Sequence, residues 1–118
     1  MKLFTQAQYA QLLANGRKQQ EAMAKNEDFD PMPVIKLFTP DAAATWLLSE
    51  IDPEDPDIAF GLCDLGLGFP ELGRVSLTEI RAVRGRFKLP VERDLGFSAD
   101  KTLSAYAEEA REHRQIIA

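Results

Sequence analysis

The stretch from Ile58 to Val75 constrains this 118-residue chain most. Ile58, Phe60 and Leu62 alternate with Ala59, Gly61 and Cys63, which is the period of a strand. Both sets are apolar or small, so the strand is expected to be covered on both faces. Gly66-Leu67-Gly68-Phe69-Pro70 reads as a turn, and Glu71 to Val75 as a return strand. The result is a β-hairpin with a long loop, and such a hairpin needs a sheet around it and helices upon it.

The flanking segments supply both. Met1-Lys2-Leu3-Phe4-Thr5 is echoed by Ile35-Lys36-Leu37-Phe38-Thr39. Each copy suggests a short strand that ends at a Thr, a good helix N-cap. Helices are then expected over Gln6–Lys25 and Pro40–Glu50, the second with Pro40 at its first position and Ala44, Leu47, Leu48 and Ile51 on its buried side. Gly16 is an awkward residue in the middle of the first. Asp52-Pro53-Glu54-Asp55-Pro56-Asp57 is a loop, since two prolines stop any helix. Ser76-Leu77-Thr78-Glu79 fits a capping box before a short helix from Leu77 to Arg84 that ends at Gly85. Leu89–Phe97 reads as a strand with Leu89, Val91, Arg93, Leu95 and Phe97 on one face. A last helix over Leu103–Arg114 buries Leu103, Tyr106, Ala107 and Ala110. The expectation is an α+β fold, a single domain over residues 1–118. Its one sheet of about five strands has a βαβα-like N-terminal half, a central hairpin and a C-terminal helix.

Charge is unevenly placed. From Leu37 to Gly73 there are eight acids and no Lys or Arg: Asp41, Glu50, Asp52, Glu54, Asp55, Asp57, Asp64 and Glu71. From Arg74 to Arg93 there are six bases and two acids. The two segments either form opposite faces for partners or neutralise each other. A single cysteine excludes an internal disulfide framework. No apolar run approaches the roughly 18 residues of a membrane span, so no membrane partner is expected. Nothing at the N-terminus suggests export, which predicts a cytoplasmic protein.

Standard catalytic motifs are absent: no GxxxxGK[ST], GxGxxG, HExxH or CxxC occurs. His113 falls at the charged end of the last helix, where it suits the helix dipole. Cys63, inside an apolar strand, is expected to be an inert thiol. The acidic loop at 52–57 lacks the ligand spacing of an EF-hand. Asp64 and Glu71 flank the hairpin turn, and Glu92 or Asp94 is expected to lie alongside. If Asp64, Glu71 and Asp94 converge, they form the carboxylate set that Mg²⁺- or Mn²⁺-dependent phosphodiester hydrolysis requires, with Asp64 and Glu71 as metal ligands. Otherwise no cofactor is implied. Arg93 on an apolar face needs a partner. Arg74, Arg81, Arg84, Arg86 and Lys88, with Phe87 and Phe69 among them, are candidates to grip a single nucleic-acid strand by phosphate contacts and stacking. The competing reading is a solvated helix surface.

KLFTPDAAATWLLSE (residues 36–50), DPEDPDIAFGLCDLGLGFPELGRVSL (52–77), LPVERDLGF (89–97) and LSAYAEEARE (103–112) resemble the small bacterial family known as domain of unknown function 2958. The resemblance covers nearly the whole chain. It implies a protein of plasmids, integrative elements or phage-derived regions. Some relatives carry labels as single-stranded DNA endonucleases, but the family supplies no catalytic residue to carry over. Three functions follow as expectations. The first is a mobile-element accessory protein that binds protein or nucleic acid through residues 66–88. The second is a metal-dependent single-stranded DNA endonuclease. The third is an anti-defence inhibitor that offers its acidic face, Asp41 to Asp57, to a DNA-processing enzyme.

Overall fold

A computed structural model describes residues 2–118. The elements are α1 (Gln6–Ala24), β1 (Ile35–Phe38), β2 (Thr45–Ile51), β3 (Ile58–Asp64), β4 (Glu71–Ser76), α2 (Leu77–Ala82), β5 (Glu92–Arg93) and α3 (Leu103–His113). All five strands join one sheet in the order β4-β3-β2-β1-β5, antiparallel throughout. The α+β class and the number of strands are as the sequence predicts.

The hairpin forms as expected, with Cys63 opposite Glu71 and Ile58 opposite Ser76. Strand β2 occupies the segment expected to be a helix over Pro40–Glu50. Its residues are buried on both faces: Trp46, Leu48 and Ile51 join a cluster with Leu12 of α1 and with Leu77 and Ile80 of α2, while Leu47 joins Leu62, Leu103, Tyr106 and Ala110. Helices thus cover both sides of the sheet, and Thr45, Trp46 and Ile51 suit its pleated centre. The first KLFT copy forms no strand from Lys2 onward, and Met1 lies outside the described residues. Thr5 does cap α1, with a reciprocal bond to Gln8. Thr39 instead closes a tight turn, its hydroxyl accepting from Ala44 N at 2.9 Å. The N-terminal half is therefore αββ rather than βαβα.

A β-bulge at Ser49 shifts the register between Leu48 and Glu50. The Ser49 carbonyl, turned out of the ladder, accepts from Asn15 Nδ2 at 2.8 Å. Gly16 lies beside this contact, and a Cβ there would stand 2.0 Å from the Ile51 carbonyl oxygen. The glycine that disfavours a helix in the sequence is what lets α1 reach the sheet.

The expected strand over Leu89–Phe97 shrinks to Glu92–Arg93. Leu89 and Leu95 are exposed, and only Val91 of its expected apolar face is fully buried. An Asx turn at Asp94, accepting from Gly96 N at 2.9 Å, bends the chain away. Arg93 finds a partner in the Lys2 carbonyl at 3.1 Å. Helix α2 stops at Ala82, short of Arg84, with Val83 as its C-cap; Ser76 caps its start. Helix α3 buries Leu103, Tyr106, Ala107 and Ala110 as expected.

Candidate functional site

Part of the acidic segment is engaged within the fold. Asp52 pairs with Arg74 at 3.1 Å, and Asp57 accepts from Ser76 Oγ at 2.6 Å and Thr78 Oγ1 at 2.7 Å. For Asp52 the bond from the Glu54 amide, then Arg74, holds the carboxyl below its usual range. For Asp57 the Ser76 and Thr78 hydroxyls do the same. Asp41 accepts from the amides of Phe87 at 2.6 Å and Leu89 at 3.3 Å. Much of the charge asymmetry is thus spent joining the acidic segment to the basic one.

The three carboxylates considered for metal chemistry do not come together. Cys63 and Glu71 are directly opposite across β3 and β4, so they share a face, and Asp64 points to the other. Asp64 is buried, and its two oxygens accept from Gly66 N at 2.8 Å and Ile116 N at 3.0 Å. It holds the loop after β3 and the segment after α3. Asp94 follows β5, three strand spacings or about 14 Å across the sheet. There it pairs with Lys36 at 3.5 Å. Among the described residues no group of three His, Cys, Asp or Glu side chains is placed to hold a metal. Burial, helped by Glu71, raises the Cys63 thiol to about 11, which keeps it protonated near neutrality.

The basic segment divides. Arg74 turns to Asp52 at the end where β2 and β4 finish. Arg84 donates to the carbonyls of Arg81 and Val83, closing off α2. Arg86 and Lys88 lie in the exposed loop after α2, with the Arg86 guanidinium 5.6 Å from the centre of the Phe87 ring. Lys88 has φ 63°, a left-handed conformation that costs a non-glycine residue about 1 kcal/mol. The Asp41 carboxylate holds the amides on either side of it.

Around that loop the surface is strongly apolar. Leu65, Leu67 and Phe69 in the hairpin turn are 61%, 74% and 75% exposed; Phe87 and Leu89 are 70% and 44% exposed. The 39–44 turn joins the two loops. A Cβ on Gly66 would lie 2.6 Å from the Ala43 Cβ, and one on Gly85 would lie 2.1 Å from Asp41 Oδ1. Both loops therefore press against one turn, at the end of the sheet where β1 and β3 finish and β2, β4 and β5 begin. The sequence pointed to Phe69, Phe87 and the bases. It missed Leu65, Leu67 and Leu89, although apolar residues at every second position of a glycine-rich turn are a visible signal.

These features define an α+β protein without a converged catalytic carboxylate set, bearing an exposed apolar and basic tip. The family model described as "Protein of unknown function (DUF2958)" matches residues 3–117, and the chain belongs to that family. Comparison with curated proteins and with solved structures finds no match. Among the described residues, no helix is long and apolar enough to cross a membrane.

Proposed function

We propose that this chain is a cytoplasmic accessory protein of a mobile element that acts by docking a protein partner through the 65–69 and 85–89 loops. The observation that carries this reading is that Leu65, Leu67, Phe69, Phe87 and Leu89 are all exposed on two loops that abut one turn, with Arg86 and Lys88 on the second loop. Monomeric proteins rarely leave so many large apolar side chains together unless they meet something. Aromatic residues and arginine, as in Phe69, Phe87 and Arg86, are enriched in protein interfaces. The partner surface that fits is apolar with an acidic rim.

A second reading, single-stranded nucleic acid, is favoured by the Arg86–Phe87 pair, which offers both stacking and phosphate contact. The aliphatic residues argue for protein, because a base stacks on an aromatic ring and gains less from leucine. The nuclease reading has no converged carboxylate set behind it, and the acidic-inhibitor reading loses Asp41, Asp52 and Asp57 to internal partners.

The test compares wild type with Leu67→Asp/Phe69→Asp and with Arg86→Ala/Phe87→Ala, all by affinity capture from host cells and by anisotropy with labelled single-stranded DNA. A captured protein lost with the first variant supports the reading. Strand binding abolished by the second variant would transfer the site to nucleic acid. Capture and strand binding unchanged in both variants would refute both readings.

A further inference from the structure

On the α3 face of the sheet, toward the end away from the loops, two adjoining cavities share four residues: Gln19 and Met23 of α1, Glu50 of β2 and Phe60 of β3. Their volumes are about 210 and 680 Å³. The smaller runs toward Asp52, Glu54 and Arg74. The larger runs toward Glu27, Asp28, Asp30 and Leu72. Together they form one groove.

Six carboxylates line this groove against one guanidinium, Arg74, which Asp52 already engages. The apolar part includes Met23, Phe60 and Leu72. Glu50 lies here because the bulge at Ser49 turns it to the side of Phe60, its partner across β3. Its half-buried carboxyl is raised to about 7 by desolvation, against the attraction of Arg74 and with the repulsion of Asp52. Beside it, Gln19 Oε1 is buried with no hydrogen-bond partner. A buried acceptor without a donor is costly, so a turn of the half-exposed Gln19 side chain that brings Oε1 to a ligand's N–H group in the groove is favoured.

An occupant must bring donors to Gln19 and Glu50, positive charge to the carboxylates and apolar surface to Phe60 and Met23. Arginine does all three: its guanidinium carries five donors in a fixed fork and its stem is apolar. A compact cation would leave the apolar floor unused. We propose that the groove receives an extended segment of a partner protein in which arginine alternates with apolar residues, one guanidinium donating to Gln19 Oε1 and the Glu50 carboxylate. The site stands apart from the apolar loops, and nothing in it depends on what those loops bind.

The probe is a labelled, end-blocked short peptide alternating arginine and leucine, titrated into the full chain at low salt. Binding should weaken about tenfold or more with Glu50→Gln and with Gln19→Leu, each checked by thermal melt for an intact fold. The glutamate counterpart of the peptide should not bind. The Glu50 carboxyl, facing Asp52, Arg74 and the 27–30 carboxylates, should lose a proton as the guanidinium arrives. Calorimetry at pH 7 in two buffers of different ionisation enthalpy should therefore register proton release on binding. No binding, or binding indifferent to both substitutions, overturns the proposal. So does spermidine competing as well as the peptide, which would reduce the groove to a diffuse acidic surface. Self-association abolished by Glu50→Lys would assign the groove to a second copy and overturn it likewise.

Discussion

Gly16→Ala sets two physical effects of opposite sign against each other. In an exposed helix the change would stabilise by about 1 kcal/mol through backbone entropy. Here the new methyl would sit 2.0 Å from the Ile51 carbonyl oxygen, a backbone atom that cannot swing aside. Helix α1 would have to withdraw by about 1 Å merely to relax the overlap, and overpacking of this kind costs about 1–3 kcal/mol. The withdrawal also stretches the buried Asn15–Ser49 bond from 2.8 Å, exposing the bulge carbonyl to a desolvation cost of about 1–3 kcal/mol. The sum is a destabilisation of about 3 kcal/mol, or a melting point lower by about 10 °C for a chain this size. The assay is urea unfolding followed by the fluorescence of Trp46, the single tryptophan, which is buried in β2. Gly73→Ala is the control, because a Cβ there meets nothing within 4 Å. It should be neutral or stabilise by about 0.5 kcal/mol. A Gly16→Ala protein as stable as wild type would refute the close-approach argument.

Asp64→Ala should cost about 2 kcal/mol by taking the shared acceptor from the half-buried bonds to the Gly66 and Ile116 amides, and hydrogen exchange should show both freed together. For Glu50 the folded carboxyl titrates near 7 against 4.5 as the ordinary value, so the folded state holds the extra proton. Stability is therefore fullest below about pH 4.5 and declines as pH rises through 7. With the group half exposed, the loss is about 1–2 kcal/mol after solvent screening. Glu50→Gln should be the more stable protein at pH 8 and lose that advantage at pH 5; equal melting curves at pH 8 would count against the desolvated carboxyl.

What the sequence shows and hides follows from particular residues. Helix α3 was legible because Leu103, Tyr106, Ala107 and Ala110 repeat with helical spacing and nothing interrupts them. The cap at Ser76 was legible because the bond it makes is local. Strand β2 was misread for a specific reason. Its bulge places Leu48 and Ile51 on one face, so a strand acquires the three-residue step of a helix. Burial on both sides then removed the polar alternation that marks a strand. The tip was half legible: its bases and phenylalanines stand out, whereas the leucines look like core until the loop is seen to lack cover. Whether Asp64, Glu71 and Asp94 converge was open in the sequence: pairing parity turns Asp64 away from Glu71, and strand order sets Asp94 three strands off, and neither is local. The groove left no trace in sequence, because Gln19 and Glu50 come to line one cavity only through the packing of α1 on the sheet.

The 39–44 turn has one consequence for redesign. It works as a keystone: Asp41 anchors one loop and Ala43 abuts the other, while the outward side chains at 65, 67, 69, 86, 87, 88 and 89 contribute little to holding the frame. A library randomised at those seven sites, with Asp41, Ala43, Gly66 and Gly85 kept, would amount to a two-loop binding repertoire on a rigid frame small enough to display on phage.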